Sequence, residues 1–382
     1  MASLSVGGVV LDYSFAGPPG APVVVFSNSL GTTRAMWAPQ VAALSRRFRC
    51  LTYDTRGHGA SAVVAAPVTV EGLAADLAGL LDGLGIARAH VVGLSLGGMT
   101  GQALAVSRPD LVDRLVLLAT SARMAPPEAW HERAALVRRA GMAAIADAIL
   151  GRWFTPAADP AAVAPVREGL LAIAPEGYAR CCEAIAAMDL TGAIAAIRAP
   201  TLVISGADDP ATPVAMQADI RARIPGAEHV VIANAAHLVN LEQAAATTRH
   251  IEAFLTDGAF ARGLANRKAV LGAEHVERSL AKAGPFAAPW QDFITRGAWG
   301  EIWGDASLPW KTRSLVTLAM MVALHREEEF KLHVRPALKN GVTTAELQAL
   351  LLHAAIYAGV PAANAAFRWV REVLGEAADD GL

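Results

Sequence analysis

Ser95 stands in Gly93-Leu94-Ser95-Leu96-Gly97-Gly98, after the apolar run 89–92 and before the helix-compatible run 99–106. A strand, a Gly-x-Ser-x-Gly turn and a helix in succession hold a serine hydroxyl exposed at a strand end. There it can attack a carbonyl carbon. The flanking glycines let backbone segments pass too closely for a Cβ atom. A serine hydroxyl is a poor nucleophile near neutral pH, so the chemistry requires a base and a carboxylate to orient that base. It also requires two backbone N–H groups for the developing oxyanion.

The chain order serine, acid, histidine supplies these partners. Past the strand candidate 201–205 lies Gly206-Ala207-Asp208-Asp209-Pro210-Ala211-Thr212-Pro213. Asp209 is the expected acid. Asp208 is the alternative, and could instead cap the turn. Past the next strand comes Asn234-Ala235-Ala236-His237, which makes His237 the expected base. His229, at the start of that strand, is the weaker candidate. The oxyanion donors are expected from the N–H of Leu96 and, by position after the strand 23–27, of Leu30. A second polar cluster runs from His325 to Arg335. Within it Glu329 and His333 are four residues apart, so they share one helical face. A carboxylate there can orient an imidazole as an acid/base pair, with Arg335 available for an anion. The plainer reading is a charged helix face.

The elements that must position these groups fall into two kinds. Apolar strand candidates at 23–27, 48–53, 90–93, 114–119, 201–205 and 229–232 alternate with helical stretches. That rhythm predicts a parallel sheet covered on both faces. Residues 122–191 break it with an alanine-rich, strand-free stretch carrying Trp130 and Trp153, read as an inserted helical cap over the sheet's carboxyl edge. After Thr256-Asp257-Gly258 only helical periodicity remains, as in Leu315, Leu318, Ala319, Val322 and Ala323, and again in Leu347, Leu350, Leu351, Ala354 and Ala355. Asn340-Gly341 stops one helix, and Thr343 or Thr344 caps the next. The expected organisation is an α/β domain over 1–257 and an all-helical domain over 262–378, joined by a short segment around 257–263.

At 382 residues the chain is long for one domain. Hydrophobic residues make up 54% and charged residues 18%, enough for two cores. A net charge of −2 without a long basic run argues against nucleic acid or an anionic membrane surface as partner. The N-terminus lacks a secretory pattern, and the run 315–324 is too short to span a bilayer. Three cysteines, two of them adjacent, are no disulfide framework and point to a reducing cytoplasm.

Asp54-Thr55-Arg56-Gly57-His58-Gly59-Ala60-Ser61 resembles a turn of α/β-hydrolases and is read as bracing, with His58 less suited than His237 to catalysis. Ser27-Asn28-Ser29-Leu30-Gly31-Thr32-Thr33, Met36-Trp37, the elbow, and 148–155 at the end of the cap resemble the 3-oxoadipate enol-lactonases over about 3–255. That resemblance implies an α/β-hydrolase fold and hydrolysis of an enol-lactone through Ser95 and His237. The substrate's free carboxylate would need a cation, for which Arg133 beside Trp130 is the candidate. A solvated arginine is the alternative.

Residues 329–335, 340–343 and 355–364, with Ala298-Trp299-Gly300 and Arg313-Ser314-Leu315, resemble the 4-carboxymuconolactone decarboxylases over about 262–376. That family implies a cofactor-free decarboxylation and helical homo-oligomers. A protein acid would protonate the α carbon of the dienolate. His333, oriented by Glu329, is the candidate and Glu328 the substitute, with His325 and His353 structural. Arg335 and Arg313 would bind carboxylates. No cysteine follows Cys182, so thiol redox chemistry is excluded from this domain, and no metal site is read. The alternative function is an ester hydrolase or perhydrolase whose helical domain serves only for oligomerisation.

Overall fold

The computed structural model describes residues 2–64, 66–124 and 126–375. The chain forms two compact units, Met1–Leu255 and Thr256–Leu382. Residues 376–378, the end of the expected helical domain, lie outside the described residues.

The first unit is built on an eight-stranded sheet. In chain order its strands are β1 (Ala2–Val6), β2 (Val9–Ala16), β3 (Val23–Ser27), β4 (Arg49–Tyr53), β5 (Ala89–Leu94), β6 (Val112–Leu118), β7 (Thr201–Gly206) and β8 (Glu228–Ile232). Their spatial order is β1-β2-β4-β3-β5-β6-β7-β8. From β4 to β8 every pairing is parallel. The central strands are buried on both faces: Val24, Val25, Phe26, Val91, Val92 and Leu115 to Leu118 are fully buried. That burial is why their sequences are continuous apolar runs rather than alternating ones.

β1 and β2 are an antiparallel hairpin that the sequence reading did not include. β1 alternates polar and apolar residues on the sheet edge, and β2 lies between it and β4. The turn Gly7-Gly8 takes positive φ at both positions, the geometry of a two-residue hairpin.

Four helices lie between β6 and β7, at Pro127–Ala140, Ala146–Trp153, Pro160–Leu171 and Pro175–Ala187. Three of them begin with proline near the first position, where the missing N–H would have no intrahelical partner anyway. A bridge between Arg123 and Asp189 ties the two ends of this insertion together.

The second unit consists of helices at Ala273–Lys282, Gly284–Ile294, Trp310–Ala323, Glu327–Lys339, Thr344–Tyr357 and Val360–Leu374, with a π-helix at Thr295–Ile302. Leu318, Val322, Phe330, Val334, Leu347, Leu351 and Trp369 form its main core. Thr343 starts the helix Thr344–Tyr357 through a full capping box with Glu346. Gly341, at φ 92°, ends the preceding one.

The expected short join is instead part of one helix, Ala244–Leu271. Single glycines at 258 and 263 weaken a helix by only about 1 kcal/mol each relative to alanine, which is not enough to break it. Among the described residues no helix is long and apolar enough to cross a membrane.

Candidate active site

Ser95 follows β5 with φ 55° and ψ −114°, a conformation that L-residues rarely hold. Its N–H donates to the Leu118 carbonyl at 2.9 Å. The Thr120 hydroxyl donates to the Ser95 carbonyl at 2.7 Å. A Cβ at Gly93 would sit 2.2 Å from the Gly97 carbonyl oxygen, and one at Gly97 would sit 2.1 Å from that of Ser27. The turn therefore tolerates no side chain at either position.

The Ser27 contact places the loop after β3 beside Ser95. The Ser29 N–H goes to the Met36 sulfur at 3.4 Å, and the Gly31 N–H goes to His58 Nε2 at 3.0 Å. Between them the Leu30 N–H has no partner among the described residues. Neither has that of Leu96, which opens the helix Leu96–Ser107. Two unfilled donors beside a serine hydroxyl are what an oxyanion site requires.

His58 Nδ1–H donates to the Arg56 carbonyl at 3.2 Å. Burial keeps this ring below the usual histidine range, so it stays neutral and accepts from Gly31. Arg56 pairs with Asp76, and Asp54 accepts the N–H groups of Arg34 and Ala60. The turn thus braces the oxyanion loop.

His237 Nδ1–H donates to Asp209 Oδ2 at 2.9 Å. Both side chains are buried. Asp209 also accepts from the N–H of Ala211 and Thr212, at 2.7 and 3.1 Å, and from the Thr212 hydroxyl at 2.7 Å. Burial raises its pKa, but the charge and hydrogen bonds of His237 and Thr212 outweigh it and hold the carboxyl below the usual range. Asp208 is exposed, and its N–H is taken by the Ala235 carbonyl. His229 bonds Ser205 instead. Of the competing residues, Asp209 and His237 are the pair brought together.

One cavity is lined by Ser95, His237 and Leu30 from the sheet side and by Trp130, Arg133 and Trp153 from the insertion. The Arg133 guanidinium lies over the Trp130 ring, 4.6 Å from its centroid. Thr212, Arg152 and Tyr178 also line the cavity, and the sequence reading had not singled them out for it. Glu242 was missed as well. It accepts the N–H of Ala236, beside the base, and that of Thr155 in the insertion. Its helical position gave no sign of this bracing role.

In the second unit the expected pair is not brought together. Glu329 stays exposed in the first turn of its helix, where a carboxylate is favoured by the helix dipole. No hydrogen bond joins it to His333 among the described residues. The His333 ring instead lies parallel to Trp299, with 6.3 Å between centroids. Burial, and then the nearby His275, pushes the His333 pKa down to about 4. Arg335 donates to the Val373 carbonyl. Arg313 is bound to the carbonyls of Asp305 and Leu308, at 2.8 and 3.1 Å.

Residues 22–244 match the model of the alpha/beta hydrolase fold. A 3-oxoadipate enol-lactonase of Acinetobacter baylyi is 38% identical over 66% of this chain and 96% of its own length. The enol-lactonase of Burkholderia xenovorans LB400 superposes with a TM-score of 0.65 at 46% identity, over 67% of this chain and all of that one. The chain belongs to the α/β-hydrolase family. Residues 288–372 match the carboxymuconolactone decarboxylase family. A 4-carboxymuconolactone decarboxylase of Acinetobacter baylyi is 49% identical over 30% of this chain and 85% of its own length. An α/β-hydrolase is therefore fused to a decarboxylase-family domain.

Two expectations follow from this geometry. Glycine at position 95 relieves the backbone strain that alanine keeps. Ser95→Gly should therefore be about 1 kcal/mol more stable than Ser95→Ala in urea denaturation. Equal stabilities would remove the strain.

An unfolded histidine takes its proton near pH 6.5, and folded His333 only near 4. The unfolded chain thus binds the extra proton between these values, so stability falls as pH drops through that window, by about 3 kcal/mol at most. His333→Asn should remove this contribution. A variant that parallels the wild type from pH 7 to pH 4 would contradict it.

Proposed function

We propose that the chain catalyses two successive steps of the 3-oxoadipate pathway. The helical unit decarboxylates 4-carboxymuconolactone to the enol-lactone, and the hydrolase unit opens that lactone to 3-oxoadipate. The observation that carries the reading is the cavity where Ser95 and His237 meet Arg133, an arginine with no carboxylate partner among the described residues.

In the hydrolase unit Ser95 Oγ adds to the lactone carbonyl while His237 takes its proton. The N–H groups of Leu30 and Leu96 receive the oxyanion. The enol oxygen leaves with a proton from His237 and tautomerises to the ketone. His237 then activates water to release the acyl group from Ser95. Arg133 and Trp130 hold the substrate's free carboxylate.

In the helical unit, loss of CO₂ leaves electrons that the conjugated lactone carbonyl takes up as a dienolate. His333 delivers the proton to the α carbon. It is neutral in the free protein, and a bound dianion raises its proton affinity. Glu329, Arg313 and Arg335 keep their proposed roles only if substrate or a second copy of the chain draws them in. No cofactor is needed by this chemistry.

Homo-oligomerisation through the helical unit belongs to the same reading. It is supported by apolar side chains left exposed on two of its helices, among them Val316, Met320, Ile356 and Tyr357. Three unpaired, buried cysteines support a cytoplasmic setting.

The test is to supply 4-carboxymuconolactone to the purified chain and follow both products. Equal amounts of CO₂ and 3-oxoadipate are expected. Ser95→Ala should stop the sequence at the enol-lactone, with hydrolysis reduced by about 10⁴-fold or more. His333→Ala should lower decarboxylation by about 10²-fold or more and leave lactone hydrolysis intact. CO₂ without 3-oxoadipate would contradict the hydrolase assignment, and no CO₂ the decarboxylase assignment.

A further inference from the structure

Arg267 in the helix Ala244–Leu271 is only 4% exposed. Buried charges are normally paired with an opposite charge, because leaving water is expensive. This one is not. Nη1 donates to Gln291 Oε1 at 2.8 Å and to Thr295 Oγ1 at 3.2 Å, and Nη2 reaches Ser279 Oγ at 3.4 Å. All three partners are neutral. A guanidinium carries five N–H donors, and Nε is buried with no partner. Burial holds the group below its ordinary pKa.

The surroundings are built to bring this cation close to the π-helix Thr295–Ile302. Gly263, one turn earlier on the same helix face, lets the two backbones touch: a Cβ there would sit 1.8 Å from the Thr295 carbonyl oxygen. Asn266 donates to the Trp299 carbonyl at 2.9 Å, and Val270 packs with Trp299. Trp299 is also the ring that stacks on His333. Arg267 bonds Thr295 and His333 lies against Trp299, so both contact one π-helical segment, an element often found at functional sites. Gln291, which holds Nη1, is half-buried and lines an open cleft with Phe260 and Leu280. Asp292, a carboxylate lining that cleft, is already paired with Arg296.

We propose that Arg267 is the binding residue for a substrate carboxylate in the helical unit, reached by displacement of the Gln291 amide. An incoming carboxylate supplies the missing counter-charge and takes the Nη1–H that Gln291 vacates together with an Nη2–H as an end-on forked pair. This inference rests on the decarboxylase reading above and adds to it the anchor for the dianionic lactone.

Two measurements on the full chain test it. In steady-state decarboxylation of 4-carboxymuconolactone, Arg267→Met should raise KM by about tenfold or more with kcat largely kept, as for a lost binding contact. Arg267→Lys, which keeps the charge without the fork, should fall between the two. It carries the test if the methionine variant does not fold, with far-UV circular dichroism and the thermal unfolding of each variant as the folding control. An unchanged KM, or a loss confined to kcat, would overturn the proposal.

Calorimetric titration with adipate, a plain dicarboxylate, reads the same site without turnover. The hydrolase cavity is common to both proteins, so the wild type should show one more site than Arg267→Met. If that extra site is present but the wild type releases no CO₂, the decarboxylase reading fails and the anion site stands. If CO₂ is released while the number of sites and KM are unchanged in the variant, the anion site fails alone.

Discussion

The hydrolase unit depends on a backbone contact that only glycine permits. Gly97 passes so close to the Ser27 carbonyl that an added Cβ would lie 2.1 Å from it, and Gly93 packs as tightly against Gly97. This passage fixes the serine turn against the loop after β3. In the proposed mechanism the nucleophile comes from one and an oxyanion donor from the other. His58 then holds Gly31 from the far side, and Thr120 holds the Ser95 carbonyl. The strained φ of Ser95 persists because these contacts over-determine it. Rotation of any one piece would separate hydroxyl and N–H donors that must act on the same carbonyl.

The two units treat buried charge in opposite ways. Asp209 is saturated: His237, Ala211 and Thr212 supply four hydrogen bonds to its two oxygens. That environment keeps the carboxylate ionised and the imidazole in one orientation before substrate arrives. In the helical unit Arg267 is buried among neutral partners and His333 is held neutral against Trp299. The charge there is incomplete without a ligand. A preformed dyad suits chemistry in which the protein itself generates the nucleophile. An uncompensated cation suits a substrate that brings two carboxylates and loses one.

The hydrolase site was legible in the sequence because its signals are local. Gly93, Ser95 and Gly97 mark a turn, Asp209 follows a buried apolar strand, and His237 follows the half-exposed edge strand β8. The Asp208 alternative was separated only by structure, since both residues sit in the same turn and only one faces His237. The β1–β2 hairpin escaped because its strands are only partly buried and mix polar with apolar residues rather than forming an apolar run. Pairing Glu329 with His333 respected helical spacing, but spacing does not say which way a ring turns, and Trp299 lies 34 residues upstream. Arg267 gave no signal at all. Within Asn266-Arg267-Lys268 it looks like any solvated arginine, and its burial depends on Gly263 admitting the π-helix.

The claim on which the rest stands is that Ser95 is the covalent nucleophile of lactone opening. Acid-quenching the protein during turnover of the enol-lactone, followed by peptide mass spectrometry, tests it directly. The account predicts an acyl adduct on the peptide containing Ser95 and none in Ser95→Ala. Turnover that continues in Ser95→Ala, with the wild-type peptide unmodified, would contradict it.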